Sequence, residues 1–300
     1  MEWLYPYYWS APVDLAASWG ARVPTPAEPA VTIGAADPTT STSQTSEGTM
    51  TTLTGSVTAV REPSLLGQTV VVIGGSSGIG LETARSVRAE GAQVVLTGRD
   101  PERLGHGAAD VGAQRHAAFD AHDPDDLDAF FRSLPAPIDH VLVTAGGPYY
   151  APLADIDMTD ATRYVADHVR LTLEVARHAA RTVRPGGALL LMSGTGGRRP
   201  AVGIGLTALL TAGLPALTAN LALELAPVRV NLIAAGFVDT PLSASLLGDD
   251  LDERRAHLRA TLPIRRVVVP EDVAALAVHI MTNTALTGAT FDVDGGQQVI

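Results

Sequence analysis

The chain has 300 residues, no cysteine, 21 basic residues that are all arginine, and a formal net charge of −11 at pH 7. Disulfides, thiolate metal sites and cysteine nucleophiles are thereby excluded, as are Schiff-base chemistry and any lysine-assisted proton relay, and no metal site is expected. The acidic balance argues against nucleic acid and anionic membrane surfaces as partners, because both require basic patches.

Residues 1–63 read as an N-terminal extension without a packed core. All three tryptophans (Trp3, Trp9, Trp19) and three tyrosines (Tyr5, Tyr7, Tyr8) precede residue 20, and a Pro/Ala/Thr/Ser stretch follows. Two readings stand: a short aromatic docking segment on a tether, or a disordered extension with Met50 as the true start. Glu2 and the lack of a basic leader argue against a secretory signal, and no apolar run is expected to reach the ~18 residues of a membrane span. A cytoplasmic protein is the default expectation.

From Gln68 the pattern becomes alternating strands and helices over a domain of residues 64–300. Thr69–Ile73 reads as a first strand, then a glycine loop and a helix that Gly91 stops. Further strands are predicted over 93–97, ending at 117–120, and over 140–145, followed by a long helix over 160–184 halted at Pro185-Gly186-Gly187. A fifth strand over 188–193, a helix over 206–226, a sixth strand over 228–234, a helix over 271–283 and a strand over 289–293 complete the series. Apolar runs separated by helices imply an α/β fold, a Rossmann-type doubly wound parallel sheet of about seven strands with helices on both faces. Ligands are then expected at the carboxyl ends of the strands.

The strongest motif is Gly74-Gly75-Ser76-Ser77-Gly78-Ile79-Gly80, between the first strand and its helix. Gly74 lets the chain turn, Gly78 lets backbone approach a pyrophosphate, and Gly80 lets helix and strand pack closely. The helix start offers N–H groups and a positive dipole end to phosphates. At the end of the second strand, where a carboxylate would hold a ribose 2′-hydroxyl, stands Gly98, followed by Arg99. A guanidinium beside a small neutral residue suits a 2′-phosphate, so NADP(H) is the expected cofactor.

The spacing of this loop resembles that of the short-chain dehydrogenase/reductase family, and the resemblance runs from about Gln68 to the C-terminus. Asp120 stands where the family contacts the adenine ring. Thr144-Ala145-Gly146 is similar to the family's Asn-Asn-Ala-Gly, with the asparagine pair replaced. Ala235-Gly236-Phe237-Val238-Asp239-Thr240 resembles its Pro-Gly-x-x-x-Thr, which implies that Gly236, Val238 and Thr240 wrap the nicotinamide end. Asp294-Gly295-Gly296 is like its C-terminal tag.

The resemblance also implies what is missing. The family's reductases use an asparagine, a serine and a Tyr-x-x-x-Lys pair. Those positions fall here on His168, Gly194 (with Ser193 just before it), Thr207 and Thr211. Candidate substitutes are His168 as a proton donor, and Tyr149 with Tyr150 as donor or pocket wall. Thr207 and Thr211 could position substrate or ribose, and Ser193 could hydrogen-bond a carbonyl. Arg198 and Arg199 follow the fifth strand and could meet an anionic substrate, and residues 243–262 occupy the place of the family's substrate lid. The implied function is an NADP(H)-dependent oxidoreductase acting on a small-molecule carbonyl, alcohol or enone. Rival readings are a cofactor-binding sensor or scaffold, and a non-redox isomerase, dehydratase or cyclase. The resemblance further implies a homodimer or homotetramer built on the helices over 160–184 and 206–226.

Overall fold

The computed structural model describes Glu62 and residues 64–300, which belong to one compact unit, Ala59–Ile300. The aromatic segment before residue 20 and Met50 lie outside the described residues. Seven strands form one parallel sheet in the order β3-β2-β1-β4-β5-β6-β7, with β1 at Thr69–Ile73, β2 at Gln93–Gly98, β3 at Arg115–Ala118, β4 at Ile138–Val143, β5 at Val183–Gly194, β6 at Arg229–Ala235 and β7 at Thr290–Val293. The order reverses between β1 and β4, and that switch point opens a crevice at the carboxyl edge.

Helices cover both faces, as continuously apolar strands require. On one face α1 (Gly78–Ala89), α2 (Pro101–Val111) and α8 (Pro270–Thr282) pack on Val70, Val72, Leu96, Leu142, Leu190 and Ile233. On the other, α3 (Pro124–Ser133), α4 (Met158–Thr182) and α5 (Gly205–Glu224) pack on Val71, Ile73, Val141, Leu189 and Leu232. Two further helices, α6 (Pro241–Leu247) and α7 (Leu251–Thr261), occupy the segment expected to be a lid.

Three expectations about elements are corrected. The third strand lies over Arg115–Ala118, so Asp120 stands two residues beyond it. This is a largely exposed edge strand, and an apolar-run criterion misplaces such a strand. The long helix ends at Thr182, and β5 starts at Val183, ahead of Pro185. Buried Val183 pairs with Ile138, a register shift separates that pair from His140–Ala188, and Arg184 forms an ion pair with Asp139. The Pro-Gly-Gly segment is thus an irregularity inside a strand. Finally, α5 is long and apolar enough to cross a membrane, contrary to the expectation that no run would be. Its interrupting Thr, Gly and Pro residues mask the absence of charge; in the fold it packs along β5 and β6.

Candidate active site

The glycine loop is tied to both neighbouring strands. Gly74 N and Gly75 N donate to Thr97 O at 3.2 and 2.8 Å, while Thr144 N and Ala145 N donate to Ile73 O at 2.8 and 3.0 Å. Gly74 has φ +95°, and a Cβ there would come within 2.6 Å of Ala145 N. A Cβ on Gly80 would strike the Gly74 carbonyl and lie 2.6 Å from Thr144 Oγ1, so the helix starts in direct contact with the turn. Thr144 Oγ1 donates to the Gly74 carbonyl at 3.0 Å, a tie that no motif signals.

At the start of α1, Ser77 makes no side-chain bond to the first-turn N–H groups. Those donors and the positive dipole end lie at the carboxyl edge of the sheet, where α1 follows β1. Ile79 packs beneath, against the core of the α1 face. A Cβ on Gly78 would lie 3.5 Å from Thr240, which brings the loop after β6 against the glycine loop.

The neighbourhood of Gly98 is not open. A Cβ there would stand 3.0 Å from both Cβ and Oγ of buried Ser76, so the glycine makes room for Ser76. Arg99 is exposed and has no hydrogen bond or ion pair among the described residues. Asp120 accepts from His122 N and lies 3.0 Å from His122 Nδ1. Partial burial would raise this carboxyl, but the two His122 contacts and the nearby Arg99 charge hold it below its ordinary value.

The loop after β6 is fixed from two sides. The C-terminal tag holds one side: Phe237 N donates to Gln297 Oε1 at 2.9 Å, and Asp294 accepts from Gly296 N and Gln298 N at 2.8 and 3.0 Å. A Cβ on Gly236 would meet Gln297 Oε1 at 2.6 Å. Val238 is buried and bridges to Val268, and Thr240 caps α6 through a reciprocal pair with Ser243. From the lid, Arg255 grips Asp239 with two bonds of 2.9 and 2.7 Å.

The candidate catalytic residues are carried by α4, α5 and the loop after β4. Gly146, with φ +110°, leaves room for His168, whose Nε2 would lie 3.1 Å from a Cβ there. His168 Nδ1 lies 3.0 Å from the Tyr164 carbonyl, an acceptor only, so Nδ1 carries the hydrogen and Nε2 is the neutral ring's acceptor. Burial pushes His168 below the usual imidazole value, with His122 adding to the effect against the Tyr164 carbonyl, Asp167 and the Gly147 backbone. The shift favours the neutral imidazole.

Sequence reasoning alone misses Tyr164. Its ring centroid is 4.4 Å from that of His168 and 5.5 Å from that of Tyr149. Its Oη lies 3.4 Å from Thr207 Oγ1, at the position to which the resemblance assigns the family's tyrosine. Thr207 Oγ1 donates to Tyr149 O at 2.9 Å and accepts from Tyr149 N at 3.1 Å, clasping the loop to α5. Thr211 donates back to Thr207 O at 2.9 Å, as helical threonines commonly do, and its Cγ2 would be 3.4 Å from a Cβ on Gly194. Ser193 Oγ is sealed from solvent, with no hydrogen-bond partner among the described residues. The one signal for Tyr164 in the sequence is its i, i+4 spacing from His168.

Arg198 forks onto Asp292 at 2.8 and 2.5 Å and is not free for an anion, while Arg199 has no such partner among the described residues. A cavity of ≈340 Å³ lined by Ile264, Val268, Asp272 and Asp294 has none of the glycine-loop, α4 or α5 groups in its walls. The glycine loop and the facing groups of α4 and α5 lie instead at the carboxyl edge of the sheet.

A parallel sheet reversing at β1/β4, with a glycine turn and an uncapped helix start at the reversal, defines a protein of the Rossmann-type nucleotide-binding class. Within it, the chain belongs to the short-chain dehydrogenase/reductase family, and residues 73–298 match the family model described as Enoyl-(Acyl carrier protein) reductase. It is 31% identical over 252 residues to short-chain dehydrogenase/reductase ucsE of Acremonium sp, covering 77% of this chain and 95% of that one. A small-chain dehydrogenase solved in complex with NADPH is 29% identical, with a TM-score of 0.68 over 78% of this chain and all of that one. MalC Reductase/Diels-Alderase from Malbranchea aurantiaca superposes with a TM-score of 0.74 at 26% identity, over 80% of this chain and 99% of its own.

Proposed function

We propose that this chain is an NADP(H)-dependent oxidoreductase that reduces an activated double bond or a carbonyl of a small molecule, with Tyr164 as its proton donor. The observation that carries the proposal is the approach of Tyr164 Oη to Thr207 Oγ1 at 3.4 Å, beside the Gly146 turn on which His168 rests. The activity belongs to residues 64–300, with residues 1–63 an extension to it.

The glycine turn and the uncapped N–H groups of α1 fit a pyrophosphate, since a Cβ at Gly74 or Gly80 would fill the cradle. Arg99, without a hydrogen-bond or ion-pair partner among the described residues, fits a 2′-phosphate, and the NADPH-bound relative supports that choice. Asp120, Ala145, Gly146, Gly236, Val238 and Thr240 line the remaining length. Bound there, NADP(H) supplies the hydride.

The chain's own part is to hold a proton at Tyr164 Oη. Thr207, its own hydrogen directed to Tyr149 O, lies within 3.4 Å of the phenol oxygen and fixes its place at the α5 face, from which the O–H turns to the substrate. His168, neutral and bonded to the Tyr164 carbonyl, positions that turn of α4. With no lysine to acidify it, the phenol is a weak acid. That strength suits an enone, whose reduction needs a weaker acid than a ketone does, and the enoyl reductase match supports the same reading.

The test is NADPH oxidation with matched ketones and enones by the wild-type chain and Tyr164→Phe. The expected result is enone turnover that falls by about 10²–10⁴-fold in kcat/KM in the variant. No turnover by the wild type, or full activity in the variant, contradicts the assignment.

A further inference from the structure

A substrate that takes its proton from Tyr164 must lie against the side chains around that phenol. The fold places three of them: Thr207 Oγ1 at 3.4 Å from Tyr164 Oη, and the rings of His168 and Tyr149 at 4.4 and 5.5 Å between centroids. Thr207 and His168 are already engaged, the first with the Tyr149 backbone and the second with the Tyr164 carbonyl. Tyr149 differs: its side chain stays half-buried, and its phenol makes no hydrogen bond among the described residues.

The Tyr149 backbone, by contrast, is firmly held. Thr207 Oγ1 accepts from Tyr149 N at 3.1 Å and donates to Tyr149 O at 2.9 Å, so one hydroxyl of α5 fixes both sides of the residue. Two residues on, Ala151 N donates to Gly203 O at 2.9 Å, which ties the same loop to the segment after β5. Gly203 has φ +83°, a conformation that glycine adopts without strain. The ring thus extends from a backbone fixed at two points, with only two side-chain torsions left to settle when a ligand meets it.

We propose that Tyr149 is a specificity-determining residue, a stacking surface for an aromatic ring conjugated to the reacting double bond of the substrate. An aryl group close to the atom that Tyr164 protonates falls within reach of a ring 5.5 Å from that of Tyr164. It extends the tilted pair that the two tyrosines already form, with 39° between their planes, and aromatic contacts of this kind add to what burial alone supplies. Tyr164 gives the proton, and Tyr149 selects the molecule that receives it. This inference rests on the oxidoreductase reading and deepens it by naming a substrate class, the aryl-conjugated enones.

The experiment is steady-state NADPH oxidation by the full chain with benzylideneacetone and with its cyclohexyl counterpart, which is as apolar but has no aromatic face. The wild type is expected to show a KM at least about fivefold lower for the aryl enone. In Tyr149→Leu the ratio of kcat/KM values, aryl over cyclohexyl, should fall by about five- to tenfold, through KM and not kcat. The intrinsic reactivities of the two enones cancel in that comparison. Tyr149→Phe, which keeps the ring, should keep the preference. Equal or inverted KM values in the wild type overturn the inference, as does an unchanged ratio in Tyr149→Leu. Because the wild-type values decide alone, the test survives a Tyr149→Leu chain that does not fold. A fall in kcat of about 10²-fold or more in Tyr149→Phe also overturns it, because Tyr149 would then be a proton donor. A wild-type chain that turns over neither enone defeats the oxidoreductase reading first, and this inference with it.

Discussion

Tyr164 and His168 stand four residues apart on α4 and so share one face, the face that meets Thr207 and the Gly146 turn. The division of labour between them follows from protonation. In the proposed mechanism His168, whose burial favours the neutral ring, holds this turn of α4 while the Tyr164 phenol gives the proton. His168→Ala is expected to lower kcat through misplacement of Tyr164 while leaving NADPH affinity within about twofold, a split that steady-state kinetics and direct titration would reveal. A second buried histidine bears on stability instead. His140 donates from Nε2 to Gln68 Oε1 at 2.9 Å, and its Nδ1 is buried with no partner among the described residues. Burial first, then the charges of Arg229 and Arg184, lower its pKa from 6.5 to about 3. The unfolded chain thus takes up a proton that the folded one refuses. Stability is full above pH 6.5 and falls as the pH drops towards 3, by up to about 1.4 kcal/mol per unit from this group. Denaturant melts of His140→Val between pH 7 and 4 should show a shallower acid slope than the wild type; an unchanged slope would remove His140 as its source.

Among the elements, α8 depends on a single side chain from the sheet. Arg229, buried at the start of β6, donates to the carbonyls of Ile280, Met281 and Asn283 at the carboxyl end of α8, and to Leu286 and Gly186. A cation at that dipole end, bonded to five carbonyls, is satisfied without a carboxylate. Arg229→Met should cost about 3 kcal/mol and lower Tm by roughly 6–12 °C, which calorimetry would measure; a change below about 2 °C would contradict this account. The same scale shows what is legible in the sequence. β1, β2, β6 and the glycine turn are largely apolar segments that adjoin glycine, so pattern alone locates them. β3 and the start of β5 are misplaced by it because an exposed edge and an irregular strand lack that signature. The glycine cradle can be read because it is local in sequence. The Tyr164–Thr207 contact joins residues 43 positions apart and the Tyr149–Thr207 clasp residues 58 apart, so neither is visible before folding.

For the whole molecule, the face made by α4 and α5 is the feature that the monomer leaves unexplained. Leu209 and Leu223 on α5 are 59% and 80% exposed, and Val169 and Leu173 on α4 are about two-fifths exposed. A helix apolar on all sides calls for cover, and family resemblance points to a second copy of the chain. Light scattering should report a dimer or tetramer, and Leu209→Glu with Leu223→Glu should shift it towards monomer; a monomeric wild type would refute self-association. The account as a whole turns on the cofactor. Its most direct test is titration of the full chain with NADPH and with NADH, following nicotinamide fluorescence. Tight NADPH binding, weak NADH binding and loss of the difference in Arg99→Ala are the predicted result. A chain that binds neither nucleotide would contradict the oxidoreductase assignment outright.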